Sequence, residues 1–270
     1  MKNYDLITPE GTKDLLFEES MVRREIENNL HEIFKKSGYC EFITPGLEFY
    51  DVFNLNSSYF PQENLYKLTD SKGRLLVLRP DSTMPIARAV ATRLKDATLP
   101  LRIFYNQNVY RTEPSLKGRS VEIGQTGIEL IGSQMKTADL EVISMAAAAL
   151  KACGLNFSLE IGNIGVFKEL VSRLEVSERE KEYIRQLIET KNFPALNDML
   201  DSIGSGNVTE ALKKLPALFG GEEVFEKAKK VMPDEKITEI LDELKEIYKD
   251  VSDICGKDIE ITVDLGLVNK

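Results

Sequence analysis

Four polar clusters in the first half of the chain combine residue types able to hold a charged small molecule. The first is Arg79-Pro80-Asp81-Ser82-Thr83. An aspartate beside a threonine can offer a carboxylate and a hydroxyl to an ammonium group. The same residues ahead of a helix would cap its free N–H groups, and both readings stay open. The second cluster, Arg111-Thr112-Glu113, carries an arginine able to clamp a carboxylate or phosphate in a two-pronged contact, or to form an ion pair at a loop mouth. The third, Lys117-Gly118-Arg119, is a basic loop tip of the kind that contacts phosphate or is simply solvated. The fourth is Gln125 with Glu129. On a strand their spacing puts both on one face with Ile123, Gly127 and Ile131. A carboxylate on an otherwise apolar or small face needs a partner. A ligand's ammonium or imidazole would supply one, and so would Arg111.

Regular elements must carry these groups. Glu18 to Lys36 has the spacing of an amphipathic helix, with Val22, Ile26, Leu30, Ile33 and Phe34 on one side and Gly38 as its stop. A short strand ending at Pro45 follows. Two more strands, from Leu65 and from Arg74, flank the turn Ser71-Lys72-Gly73. Ser82 to Leu94 reads as a helix with Pro85 in its first turn. Leu99–Arg111 and Val121–Gly132 read as the arms of a long hairpin with a charged tip. A helix from about Thr137 to Cys153 and a strand at Asn156–Gly162 come next. Helical patterns then dominate to Val251, and strand character returns from Asp258. The pattern is that of an α+β protein with a helical insertion. The expected division is a core over 1–165, a helical subdomain over 166–255, and a return strand of the core over 256–270. A last strand with nothing after it reads as part of a domain that continues.

Bulk properties narrow the chemistry. The net charge of −9 argues against a large nucleic-acid footprint, which wants clustered Lys and Arg. Cys40, Cys153 and Cys255 are widely spaced and His31 is the only histidine, so Cys/His zinc chemistry is not expected and no cofactor is implied. His31 sits in a helical pattern between Leu30 and Ile33 and reads as structural. No stretch approaches the roughly 20 apolar residues of a membrane span, and the N-terminus lacks a signal-like apolar run; a cytoplasmic protein is expected.

Taken in order, the motifs resemble the class II aminoacyl-tRNA synthetases of the histidyl type. PEGTKDLL with the helix, strand and proline of Glu18–Pro45 resembles motif 1, the dimer-forming element. YRTEPSLKGRSVEIGQTGIELIG resembles motif 2, and RPDSTMPIAR the family's RPEGT segment. VDLGLVNK resembles the start of the segment before the second histidine-specific signature. The resemblance implies a class II antiparallel sheet flanked by helices. It places Asp81, Thr83, Arg111, Gln125 and Glu129 where the family contacts histidine and ATP, around a histidine-like ligand; Glu113, Lys117 and Arg119 are the further candidates for phosphate contact.

The departures carry as much information. The family's Arg-His-Glu is Arg111-Thr112-Glu113, its adenine-stacking aromatic is Ile123, and its RPEGT glutamate is Asp81, one methylene shorter. Motif 3 and an anticodon-binding domain do not occur before Lys270. An aliphatic side chain loses the stacking geometry of a ring. These features resemble a paralogous family, the regulatory subunits of short-form ATP phosphoribosyltransferase. That resemblance implies a non-catalytic chain required for the first step of histidine biosynthesis and its feedback control by histidine. It further implies a hetero-oligomer, a hetero-octamer, with the short catalytic subunit, a homodimer through the motif 1-like element, and no tRNA. The competing reading is the catalytic core of a true histidyl-tRNA synthetase.

Overall fold

The computed structural model describes residues 4–54, 60–112, 120–256 and 258–268. Contacts divide the chain into two compact units, one of residues 1–138 with 151–154, the other of 139–150 with 155–270. Among the described residues no helix is long and apolar enough to cross a membrane.

The first unit is built on a hairpin of β5 (Leu101–Tyr110) and β6 (Glu122–Ile131). The two strands pair antiparallel along their whole length, from Leu101 opposite Ile131 to Tyr110 opposite Glu122. Facing residues share a side of the sheet, so Ile103, Tyr105, Gln107 and Val109 project with Glu129, Gly127, Gln125 and Ile123. Helix α1 (Phe17–Lys36) covers the opposite side: Phe34 and His31 pack on the Phe104 ring, with His31 edge-on at 4.8 Å. His31 is thus a packing residue. Strand β1 (Cys40–Glu41) pairs parallel to β5. Gly38 stops α1 by adopting φ +84°, a conformation other residues avoid.

A second small sheet consists of β2 (Leu47–Phe49), β4 (Leu75–Leu78) and β3 (Lys67–Thr69), in that order and antiparallel. The turn between β3 and β4 lies where the sequence predicts it. The Asp70 carboxylate accepts from the Lys72 and Arg74 amides, and Gly73 takes φ +76°. The one-turn helix α2 (Asp51–Asn54) carries Phe53, which is buried with Leu65 and Val77. Helix α3 (Thr83–Arg93) packs on the odd-numbered face of the hairpin, where Ile86 is buried with Ile103 and Tyr105, and Val90 flanks them. Burying such side chains contributes about 1.5–3 kcal/mol each.

The second unit is mainly helical. Helix α4 (Lys136–Ala152) belongs to it through its middle residues. Strand β7 (Ser158–Ile161) precedes α5 (Ile164–Ser172), α6 (Glu178–Glu189), α7 (Phe193–Ile203) and α8 (Asn207–Lys214). Strand β8 (Phe219–Gly220), α9 (Glu223–Val231), α10 (Glu235–Cys255) and β9 (Glu260–Asp264) complete it. Ser177 and Glu180 close a capping box on α6, and Asp234 caps α10 at the Ile237 amide. One core joins these helices, with Ile184, Leu196, Leu212, Phe225 and Leu241 fully buried. The border falls near residue 138, earlier than the expected 165. The physical reason is strand pairing. β7, expected in the core, and β9, expected as the core's return strand, pair with each other in parallel, and β9 also pairs with β8.

Candidate ligand-binding site

The loop between β4 and α3 lies over the odd-numbered face of the hairpin, pinned at three points. The Tyr110 amide donates to Arg79 O at 2.9 Å, Arg111 Nε donates to Pro80 O at 2.6 Å, and the Ser82 amide donates to Gln125 Oε1 at 3.2 Å. This brings Asp81 and Thr83 to Glu129, which is far from them in sequence. The Thr83 hydroxyl donates to Glu129 Oε1 at 2.7 Å. Among the described residues the second oxygen of Glu129 has no partner. Burial raises the Glu129 carboxyl above its ordinary value, and the nearby charge of Asp81 adds to the rise, while the Thr83 hydroxyl opposes it. A half-buried carboxylate without a cation is the arrangement that a ligand's ammonium or imidazolium would complete.

Asp81 takes the capping role and stands close enough to Glu129 for its charge to act there. Its Oδ1 accepts from the Met84 amide at 3.1 Å, which makes it a cap of α3, and its charge still acts on Glu129. Arg111 borders the face of Glu129 and does not pair with it. Among the described residues the only hydrogen bond of its side chain runs from Nε–H to Pro80 O. Of the five residues expected around a ligand, Gln125 and Glu129 lie on this face, Asp81 and Thr83 come to it from the loop and the start of α3, and Arg111 borders it just past β5. Glu113, Lys117 and Arg119 lie outside the described residues.

Tyr105 is a site residue that the sequence reading missed. It faces Gly127 across the hairpin, and its phenol lies so close over that glycine that an added Cβ would come within 2.6 Å of Oη. Burial pushes the Tyr105 phenol up to about 12, assisted by the charges of Glu129 and Asp81 and opposed by a hydrogen bond with Thr83 and by Arg111. It stays neutral and lines the floor between Gln125 and Glu129. The available signal was parity: Tyr105 is two residues from Gln107 and falls on the same face as Glu129 once the register is known.

Comparisons with known proteins identify the family. The family model for histidyl-tRNA synthetase matches residues 11–270. A curated relative from Clostridium kluyveri named ATP phosphoribosyltransferase regulatory subunit is 46% identical, over 99% of this chain and 69% of its own length. The chain belongs to the histidyl-tRNA synthetase family, among the ATP phosphoribosyltransferase regulatory subunits. A second regulatory subunit, from Clostridium botulinum, is 43% identical over 99% of this chain and 64% of its own. The chain thus spans about two thirds of the length of these relatives. The crystal structure of an ATP phosphoribosyltransferase regulatory subunit/histidyl-tRNA synthetase from Bacillus halodurans C superposes with a TM-score of 0.88 at 33% identity, covering 99% of this chain and 70% of that one. The α+β architecture is that of the class II synthetase-like family. In that family setting, Ile123 stands exposed on β6 where the resemblance places an adenine-stacking ring.

Proposed function

We propose that this chain is a non-catalytic regulatory subunit of ATP phosphoribosyltransferase. In this reading it assembles in the cytoplasm with the short catalytic subunit as a hetero-oligomer, a hetero-octamer in which copies of this chain pair through the Glu18–Pro45 element. It is required for the first step of histidine biosynthesis and for its feedback control. Histidine is the ligand of the site on the hairpin. Glu129 takes the cationic group, Thr83 and Gln125 hold the surrounding polar contacts, Asp81 adds negative charge, and Arg111 faces the carboxylate. Glu113, Lys117 and Arg119 are the proposed phosphate contacts.

The observation that carries the reading is the Thr83–Glu129 pair beside Tyr105 and the α3 N-terminus: a desolvated carboxylate held in place, with one oxygen that no described residue engages. Kinship to proteins named as regulatory subunits supports the partner. The exposed aliphatic Ile123 and the loss of the motif 2 histidine at Thr112 support the absence of adenylate chemistry.

The test is reconstitution. The full-length protein is titrated into the short catalytic subunit, and phosphoribosyl-ATP formation is followed with and without histidine. Stimulation, and inhibition by histidine that depends on Glu129, are expected. Failure to stimulate at every ratio, or histidine-dependent ATP–pyrophosphate exchange by the chain alone, would overturn the proposal.

A further inference from the structure

Behind the 79–83 loop lies a buried cation that, among the described residues, forms no ion pair, although the charge of Glu48 acts on it. Arg79 is 7% exposed. Its Nε–H donates to Asn108 O at 2.7 Å, and its Nη1 donates to Thr44 O at 2.6 Å and to Gln107 Oε1 at 2.8 Å, with longer contacts at 3.3 Å to Pro45 O and Thr44 Oγ1. Its backbone is held as firmly, since the Arg79 amide donates to Gly46 O and Arg79 O accepts from Tyr110. Gln107 and Thr44, both buried, complete the knot through Gln107 Nε2 to Thr44 Oγ1 at 3.0 Å and the Thr44 amide to Gln107 Oε1 at 3.2 Å. A guanidinium desolvated to meet neutral oxygens costs stability that an apolar residue would not. What the fork supplies is geometry: its donors join the Thr44–Gly46 turn, strand β5 and the strand-to-helix loop that begins at Arg79 itself.

We infer that Arg79 is a positioning residue for the ligand site, fixing through the 79–83 loop the distance from Asp81 and Thr83 to Glu129. The inference rests on the ligand reading above and adds a residue that does not face the ligand. Lysine keeps the charge but has no rigid fork, so it cannot span Asn108 O and Thr44 O together. The loop then loosens over the hairpin, and small displacements of binding groups cost about ten- to a hundredfold.

The experiment compares histidine binding by calorimetry and thermal unfolding in the full-length wild type, Arg79→Lys and Val77→Ala. Val77 is fully buried on β4, the strand that leads into Arg79, and its side chain makes none of the loop's hydrogen bonds, so its truncation lowers stability and leaves them in place. Expected is a loss of affinity of at least about tenfold in Arg79→Lys, with Val77→Ala binding as wild type despite a lower melting temperature. Wild-type affinity in a folded Arg79→Lys, or affinity in both variants falling in step with melting temperature, would overturn the inference. Should Arg79→Lys fail to fold, Thr44→Val gives the same comparison, because it removes one acceptor of the knot at nearly constant shape. A smaller loss of affinity is expected there, and unchanged binding counts against the inference. A wild-type protein that binds no histidine would remove the ligand reading itself, which is a different result from wild-type binding unaffected by the variants.

Discussion

Replacing Glu129 by glutamine keeps the length and planarity of the side chain and deletes its charge. The Thr83 hydroxyl can still donate to the amide oxygen, so the local geometry at 2.7 Å is retained. What changes is the partner offered to a cationic ligand. A hydrogen bond to a charged group contributes about 1.5–3 kcal/mol, so histidine affinity should fall by about ten- to a hundredfold. Stability should move the other way. Burial and Asp81 hold the Glu129 carboxyl above its ordinary value, so the folded chain binds this proton more tightly than the unfolded chain. The stabilisation from the protonated group is therefore complete below the ordinary glutamate range and lost as pH rises through the raised value. Glutamine does not ionise. The melting temperature of Glu129→Gln relative to wild type, both without ligand, should be level in acid and climb to a plateau once pH passes that raised value. Thermal unfolding across mildly acidic to neutral pH, paired with histidine calorimetry at neutral pH, reads both effects. A variant that binds histidine as tightly as wild type, or that grows less stable than wild type as pH rises, would refute the reasoning. The second outcome would mean that a cation within the protein already pairs with Glu129.

Other consequences follow from the same hairpin and from the helical unit. Gly127→Ala would place a Cβ within 2.6 Å of Tyr105 Oη and 2.8 Å of Cζ, and denaturant unfolding should show a loss of about 1–3 kcal/mol. In alkaline spectrophotometric titration, Tyr105→Phe should remove one tyrosine that ionises late, near about 12; an unchanged late step would show that the phenol is not buried against Glu129. Leu241→Ala in the fully buried core of the helical unit should cost about 2–5 kcal/mol in denaturant unfolding, with histidine affinity unchanged by calorimetry.

Much of the site was legible because its residues obey short periods. Gln125 and Glu129 share a face by strand alternation, and Arg111, just past β5, is brought near it by its hydrogen bond to Pro80 O and acts on Tyr105. Asp81 takes the capping role, since one carboxylate oxygen reaches the Met84 amide, and its charge acts on Glu129. The apolar stripe of α1 was legible as a stripe, but Phe34 is buried whereas Val22 and Ile26 remain 56% and 40% exposed. A helical period names a face without naming what covers it. Tyr105 passed unnoticed, and Arg79 was named with its cluster but given no role, for a related reason. A tyrosine within a strand pattern and an arginine before a proline look ordinary until the register puts one over Gly127 and the buried fork of the other against Thr44 and Gln107.

Taken alone, the order of residues determined which elements form and which side chains share a side, because both follow from sterics between neighbours a few positions apart. The three-dimensional packing decided the rest: that β7 joins β9 and β8 among the helices, that the 79–83 loop lies over β6, and that Glu129 keeps an oxygen without a partner among the described residues. Those outcomes depend on contacts between segments distant in the chain, whose desolvation and hydrogen bonding no local pattern encodes.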